Sequence, residues 1–140
     1  MRGASARVPR AMIAVGCLAL LIVSAGLSPS DAGHGTHTRL GLPACGWAVA
    51  FDAPCPTCGM TTAFAHAATA DGWASLSAQP AGAAMAVLTA AGLFGGLHGA
   101  LGGARVEGVF AWMVTKPALV TASAVVLVAW AWKWVTWAGL

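Results

Sequence analysis

The side chains best able to do chemistry in this chain are four cysteines and four histidines. Two cysteines stand in the stretch Cys55-Pro56-Thr57-Cys58-Gly59, with Cys45 upstream and Cys17 inside a distant apolar run. Cysteines separated by two residues can close a small ring, so Cys55 and Cys58 are candidates for thiol–disulfide exchange or a structural disulfide. At the start of a helix, amide dipoles would stabilise the Cys58 thiolate. The same spacing chelates a metal, and Cys45, Cys55, Cys58 and His66 make a candidate set for zinc or iron, with His34 or His37 as further donors. A third reading is conformational: the prolines and Gly59 set a tight helix entry, and the cysteines are buried, bonded or part of an interaction surface. A second Cys-x-x-Cys is absent, as are a Ser-His-Asp set, a paired carboxylate site and a phosphate loop. The residues alone leave these three readings open.

Composition says where such a turn must sit. The chain has 140 residues, 59% hydrophobic and 8% charged. A soluble domain carries roughly 25% charged residues, so this chain lacks the polar surface that water demands. Its apolar runs are long and uncharged, and only a bilayer solvates such runs without aggregation. The net charge of +3 is spread along the chain. Arg2, Arg7 and Arg10 have a sufficient role in membrane topology, which argues against nucleic acid as a partner.

Three runs are candidate spans, at about 11–27, 80–101 and 117–137. The first follows a short basic segment, and Arg10 can snorkel to lengthen it. It is read as a retained helix, because its apolar run exceeds a signal peptide's usual core. The alternative is cleavage at Ser30-Asp31-Ala32. The second opens with Pro80, which suits a first helical turn. Gly92, Gly96, Gly99 and Gly103 form a smooth stripe along it, where a neighbouring helix, including one from a membrane protein partner, can approach closely. His98 falls near the end of this span, at headgroup level. The third ends in Trp130, Trp132, Trp134 and Trp137 around Lys133, the pattern of an interfacial anchor with a snorkelling lysine.

Between the first two spans lies the cysteine-containing region, 42–79. Residues 27–42 read as a loop, since glycines flank His34 and His37 and disfavour a helix there. Residues 42–51 are apolar but too few to cross a bilayer, so they lie in the interface or dip in and return. A short helix then starts near Gly59, with Thr57 or Cys58 at its cap and His66 on it. Asp71 caps a second short helix from Trp73 to Ala78. Positive charge at Arg2, Arg7, Arg10, Arg105 and Lys116 favours a cytoplasmic N-terminus, which turns the cysteines outward.

The pattern Cys55-Pro56-x-Cys58-Gly59-x-Thr61, followed by Asp71 and then Pro80 opening an apolar helix, resembles the domain of unknown function 2752, a family of small bacterial membrane proteins. The resemblance covers roughly residues 40–105. Thr62 stands where that family usually has arginine, Ala70-Asp71 where it has Gly-Asp, and Gln79 where it has asparagine. The resemblance implies a location in the bacterial inner membrane and an architecture, with no reaction attached.

The expected fold is therefore all-α: one membrane domain, with three transmembrane helices and two short interfacial helices between the first and second. The favoured role is a non-enzymatic accessory or partner-binding module. The alternatives are a membrane thiol–disulfide oxidoreductase using Cys55 and Cys58, or a metal-binding membrane protein.

Overall fold

The computed structural model describes residues 2–102 and 107–137; Gly103 and Arg105 lie outside them. The described chain is all-helical. Helix α1 is Arg2–Ala25, α2 Gly46–Phe51, α3 Met60–Ala68, α4 Gly72–Ala78, α5 Pro80–Gly102, α6 Glu107–Met113 and α7 Lys116–Val135. Three of these, over Arg7–Ala25, Pro80–Gly102 and Lys116–Val135, are long and apolar enough to cross a membrane. The two expected interfacial helices are α3 and α4. Two further short elements precede them: α2, and a 3-10 turn at Thr36–Leu40. That turn corrects the expectation of plain loop. Gly35 and Gly41 bracket it in left-handed conformations, so the glycines end the helical turn at each side without preventing it.

The main packing contact is α1 against α5, and glycine makes it possible. A Cβ on Gly96 would stand 2.9 Å from the Arg10 carbonyl oxygen and 3.0 Å from the Ala14 nitrogen. Those are backbone atoms, so the two helices touch backbone to backbone, as small-residue interfaces allow in lipid. A Cβ on Gly92 would meet the Cys17 sulfur at 3.1 Å. The neighbour seated on this stripe is therefore α1 of the same chain. Arg10 does not snorkel as expected. It is buried, and its guanidinium donates to the Gly99 carbonyl at 3.2 Å. Three hydroxyls within the spans bond back into their own helices, Ser24 to Leu20 O, Thr89 to Met85 O and Thr121 to Pro117 O, which satisfies those donors without water.

The short helices pack on the start of α5. Asp71 caps α4 as expected, accepting from the Ala74 amide. The Ser75 hydroxyl donates to Ala63 O at 2.7 Å, joining α4 to α3. Gly82 lets α5 press on α3, since a Cβ there would stand 2.9 Å from that of Ala63. Helix α7 is different. Its buried residues are Ala129 and Lys133, and it is held to the rest chiefly at its C-terminal end.

Candidate functional site

The loop side of the bundle, where α1 ends and α5 begins, carries the cysteines. Gly59 is the N-cap of α3, one or two residues later than expected, with φ 89°. Only glycine adopts this conformation without strain. The position is also crowded: a Cβ would stand 2.7 Å from Gly33 O and 2.8 Å from Ala78 O. The motif glycine thus lets the turn sit between the 28–35 loop and the end of α4. Gln79 reinforces the same junction. It is buried, and its Nε2 donates to Pro56 O at 3.2 Å. Its side chain thus grips the Cys-Pro-Thr-Cys turn across the fold.

Three of the four candidate residues meet. Cys45, Cys55 and Cys58 line one cavity of about 300 Å³ with His37, Thr57 and Met60. Cys45 Sγ lies 3.6 Å from Cys55 Sγ, and Cys55 Sγ lies 3.4 Å from the Thr57 hydroxyl. The Cys45–Cys55 contact joins residues ten apart, because α2 folds back and returns the chain to its starting point. His37 Nε2 meets the Pro43 carbonyl at 3.1 Å, which places its ring at the edge of the cavity. His66 lines a different cavity, of about 420 Å³, with Asp31, Ser77 and Lys133. Among the described residues no group of three or more histidines, cysteines or carboxylates is placed to hold a metal ion.

The thiols have unlike environments. Cys45 is the N-cap of α2. The Ala48 amide holds its thiol below the ordinary value, against a smaller opposing effect of burial, with Cys55 and the Trp47 amide adding to the lowering. Cys58 is buried, and desolvation, with Cys55 beside it, pushes its thiol up to about 11. This reverses the expectation that a helix start would stabilise the Cys58 thiolate. Burial outweighs the amide dipoles, and the cap itself falls on Gly59.

Residues 43–93 match the family model described as Protein of unknown function (DUF2752). The family expected from the motif is the one whose model matches, over the segment that holds all three loop cysteines and the start of α5. No curated protein and no solved structure matches the chain.

Several residues around the site make contacts that their local sequence does not suggest. Lys133 was expected to snorkel. It is 2% exposed and donates to Gly33 O at 2.9 Å and Ala78 O at 3.1 Å, behind Gly59. Three of the C-terminal tryptophans also reach the loop side: Trp130 Nε1 donates to Pro54 O at 2.8 Å, Trp137 Nε1 to Asp52 O at 3.1 Å and Trp132 Nε1 to Ser77 O, in α4, at 3.3 Å. Thr36 and Thr62, both fully buried, share a hydroxyl hydrogen bond of 2.7 Å, and the Ser30 amide donates to Thr36. The small Thr62 is what seats the 28–41 segment on α3. The signals available from sequence were the unusual lysine among tryptophans and the isolated threonines, and neither points to a partner by itself.

Proposed function

We propose that this chain is a multi-pass protein of the bacterial inner membrane whose loop side carries a thiol–disulfide centre made by Cys45 and Cys55. The observation behind this is their 3.6 Å sulfur contact in an open cavity. A disulfide forms when two such sulfurs close to about 2.05 Å. The reaction partner is a second molecule bearing a disulfide. The Cys45 thiolate attacks one of its sulfurs, a mixed disulfide forms, and the other half leaves as a thiolate. Cys55 then attacks the Cys45 sulfur. The protein disulfide forms, and the second half leaves. The two protons lost by Cys45 and Cys55 end on the two released thiols. Cys45 suits the attacking role, since its thiol is held below the ordinary value. Positive charge near the opposite ends of the spans, at Arg7 and Lys116, supports an outward-facing loop side, where oxidation is permitted.

The test is to equilibrate purified protein with disulfide-containing redox buffers and map thiols by mass spectrometry. The expected product has lost two hydrogens and links Cys45 to Cys55, and Cys55→Ser accumulates a mixed disulfide on Cys45. Persistent free thiols at both positions under an oxidising buffer would rule the centre out.

A second reading, an accessory module for another membrane protein, is favoured by α7. Leu119, Val120, Leu127 and Val128 are all exposed, so a long apolar face is open to a partner helix as well as to lipid. Photo-crosslinkers at Val120 and Leu127 distinguish the two: a protein adduct of discrete mass supports a partner, and lipid adducts alone count against one.

A further inference from the structure

Helix α2 is built unlike α3 and α4, which bury four and two residues respectively. It buries one residue, Ala48, at 2% exposed, while Trp47, Val49 and Phe51 stand open, Phe51 at 67%. Trp47 and Phe51 sit one turn apart with ring centroids at 5.3 Å. The segment leading in is equally apolar: from Leu40 to Phe51 the sequence carries no charge, and Leu40 and Leu42 are exposed. In water this would be a contiguous apolar patch, the mark of an interaction surface.

The tethers of this segment indicate what covers it. Trp137, just beyond α7, holds the Asp52 carbonyl, and Trp130 holds the Pro54 carbonyl. Trp130 stands five residues before Val135, the last residue of the third span. At a rise of 1.5 Å per residue that is about 7 Å below the end of the span, and helical side chains lean toward the N-terminus, away from that end. The chain leaving α2 therefore passes inside the level at which the third span ends. Backbone carbonyls at that depth find no water and need a protein donor. At Pro54 the Trp130 indole N–H supplies it, which accounts for tryptophan, with both an apolar body and a donor, at that place.

We propose that α2 is a finger inserted into the bilayer leaflet on the loop side, with Trp47, Val49 and Phe51 among the lipids. Its apolar surface continues the lipid-facing surface of the spans. Cys45 opens the finger and Cys55 follows it closely, so their contact closes its base at the membrane boundary. The exchange reaction proposed above, on which this consequence alone rests, thereby takes partners that come to the bilayer surface.

The experiment uses full-length protein in vesicles of phosphatidylcholine and phosphatidylglycerol, with acyl chains brominated near the headgroup. The tryptophan emission of the wild type minus that of Trp47→Phe isolates Trp47. The expected difference signal is blue-shifted, quenched by the bromines and insensitive to aqueous iodide. A carboxylate is excluded from that depth, so Val49→Asp should red-shift the signal, remove bromine quenching and admit iodide while the spans stay inserted. A Trp47 signal quenched by iodide in the otherwise unaltered protein overturns the proposal. A signal shielded from both quenchers overturns it too, because the cover is then protein. The readout is Trp47 emission, so its failure is separate from a failure to form the Cys45–Cys55 bond.

Discussion

Cys58 illustrates how one residue's environment can override its motif. It sits beside a helix start, in a spacing associated with reactive thiols, and yet it is buried and its thiol is pushed up to about 11 from an ordinary 9.0. A thiol in that state is a small apolar group at neutral pH. Alkylation with iodoacetamide at neutral pH should therefore modify Cys45 well before Cys58, and the Cys58 rate should keep rising to an inflection near pH 11. The same shift bears on stability. The folded value is raised, so the contribution of Cys58 is intact below about pH 9 and is lost as pH climbs toward 11, because the unfolded thiol releases its proton first. A thermal melt across that window, compared with Cys58→Ala, isolates the effect. Lys133 makes a second residue-scale test. A headgroup lysine could be replaced at a cost within about 0.5 kcal/mol. Lys133→Met instead strands the carbonyls of Gly33 and Ala78, each at about 1–3 kcal/mol if left unpaired. Denaturation in mild detergent should show that larger loss.

At the scale of elements, the helices were legible where local chemistry decides them. Pro80 opening α5 and Asp71 capping α4 are properties of short windows, and each is found where its window puts it; the apolar runs likewise yield three helices long and apolar enough to cross a membrane. What could not be read were the contacts between windows. The pairing of Cys45 with Cys55 depends on α2 reversing the chain, and six residues of apolar sequence do not announce a helix. The Trp-Lys cluster of α7 has the same composition whether it meets lipid headgroups or backbone carbonyls, so anchor and clamp look identical in one dimension. The glycine stripe was visible, but which helix sits on it was not. The observed neighbour, α1, gives a direct test. Gly96→Ala places a methyl against Arg10 O and Ala14 N, backbone atoms that cannot rotate away. Overpacking of this kind costs about 1–3 kcal/mol. The variant should lower the melting temperature in detergent and speed protease cleavage of α1, whereas Gly16→Ala, with open space around it, should do neither.

For the whole molecule, the arrangement is a helix pair with a loop-side cap, and a third span joined to that cap by polar contacts. Lys133, Trp130, Trp132 and Trp137 make those contacts to Gly33, Pro54, Ser77, Ala78 and Asp52. Hydrogen bonds of this type are individually modest, about 0.5–1.5 kcal/mol each, when both groups can otherwise find water. They rise in value where water is scarce. The double variant Trp130→Phe, Trp137→Phe keeps the apolar surface and removes two donors. It should leave three spans inserted, while hydrogen exchange of residues 46–56 accelerates and the Cys45 and Cys55 thiols become less able to pair. Unchanged exchange in that segment would show that α7 is dispensable to the cap.

Lys133 also bears on how the protein is made. Its ammonium joins residues 33 and 78 from a position more than fifty residues beyond either. While the chain is being synthesised, the turn that carries Cys55 and Cys58 is made long before Lys133 exists. Gly59 and its neighbours must therefore wait, unbuttressed, until the third span has been threaded into the bilayer. During that interval the loop thiols are open to whatever oxidant the compartment offers. The turn gains its lysine buttress only when α7 arrives, which makes insertion of α7 the step that ends the period of exposure.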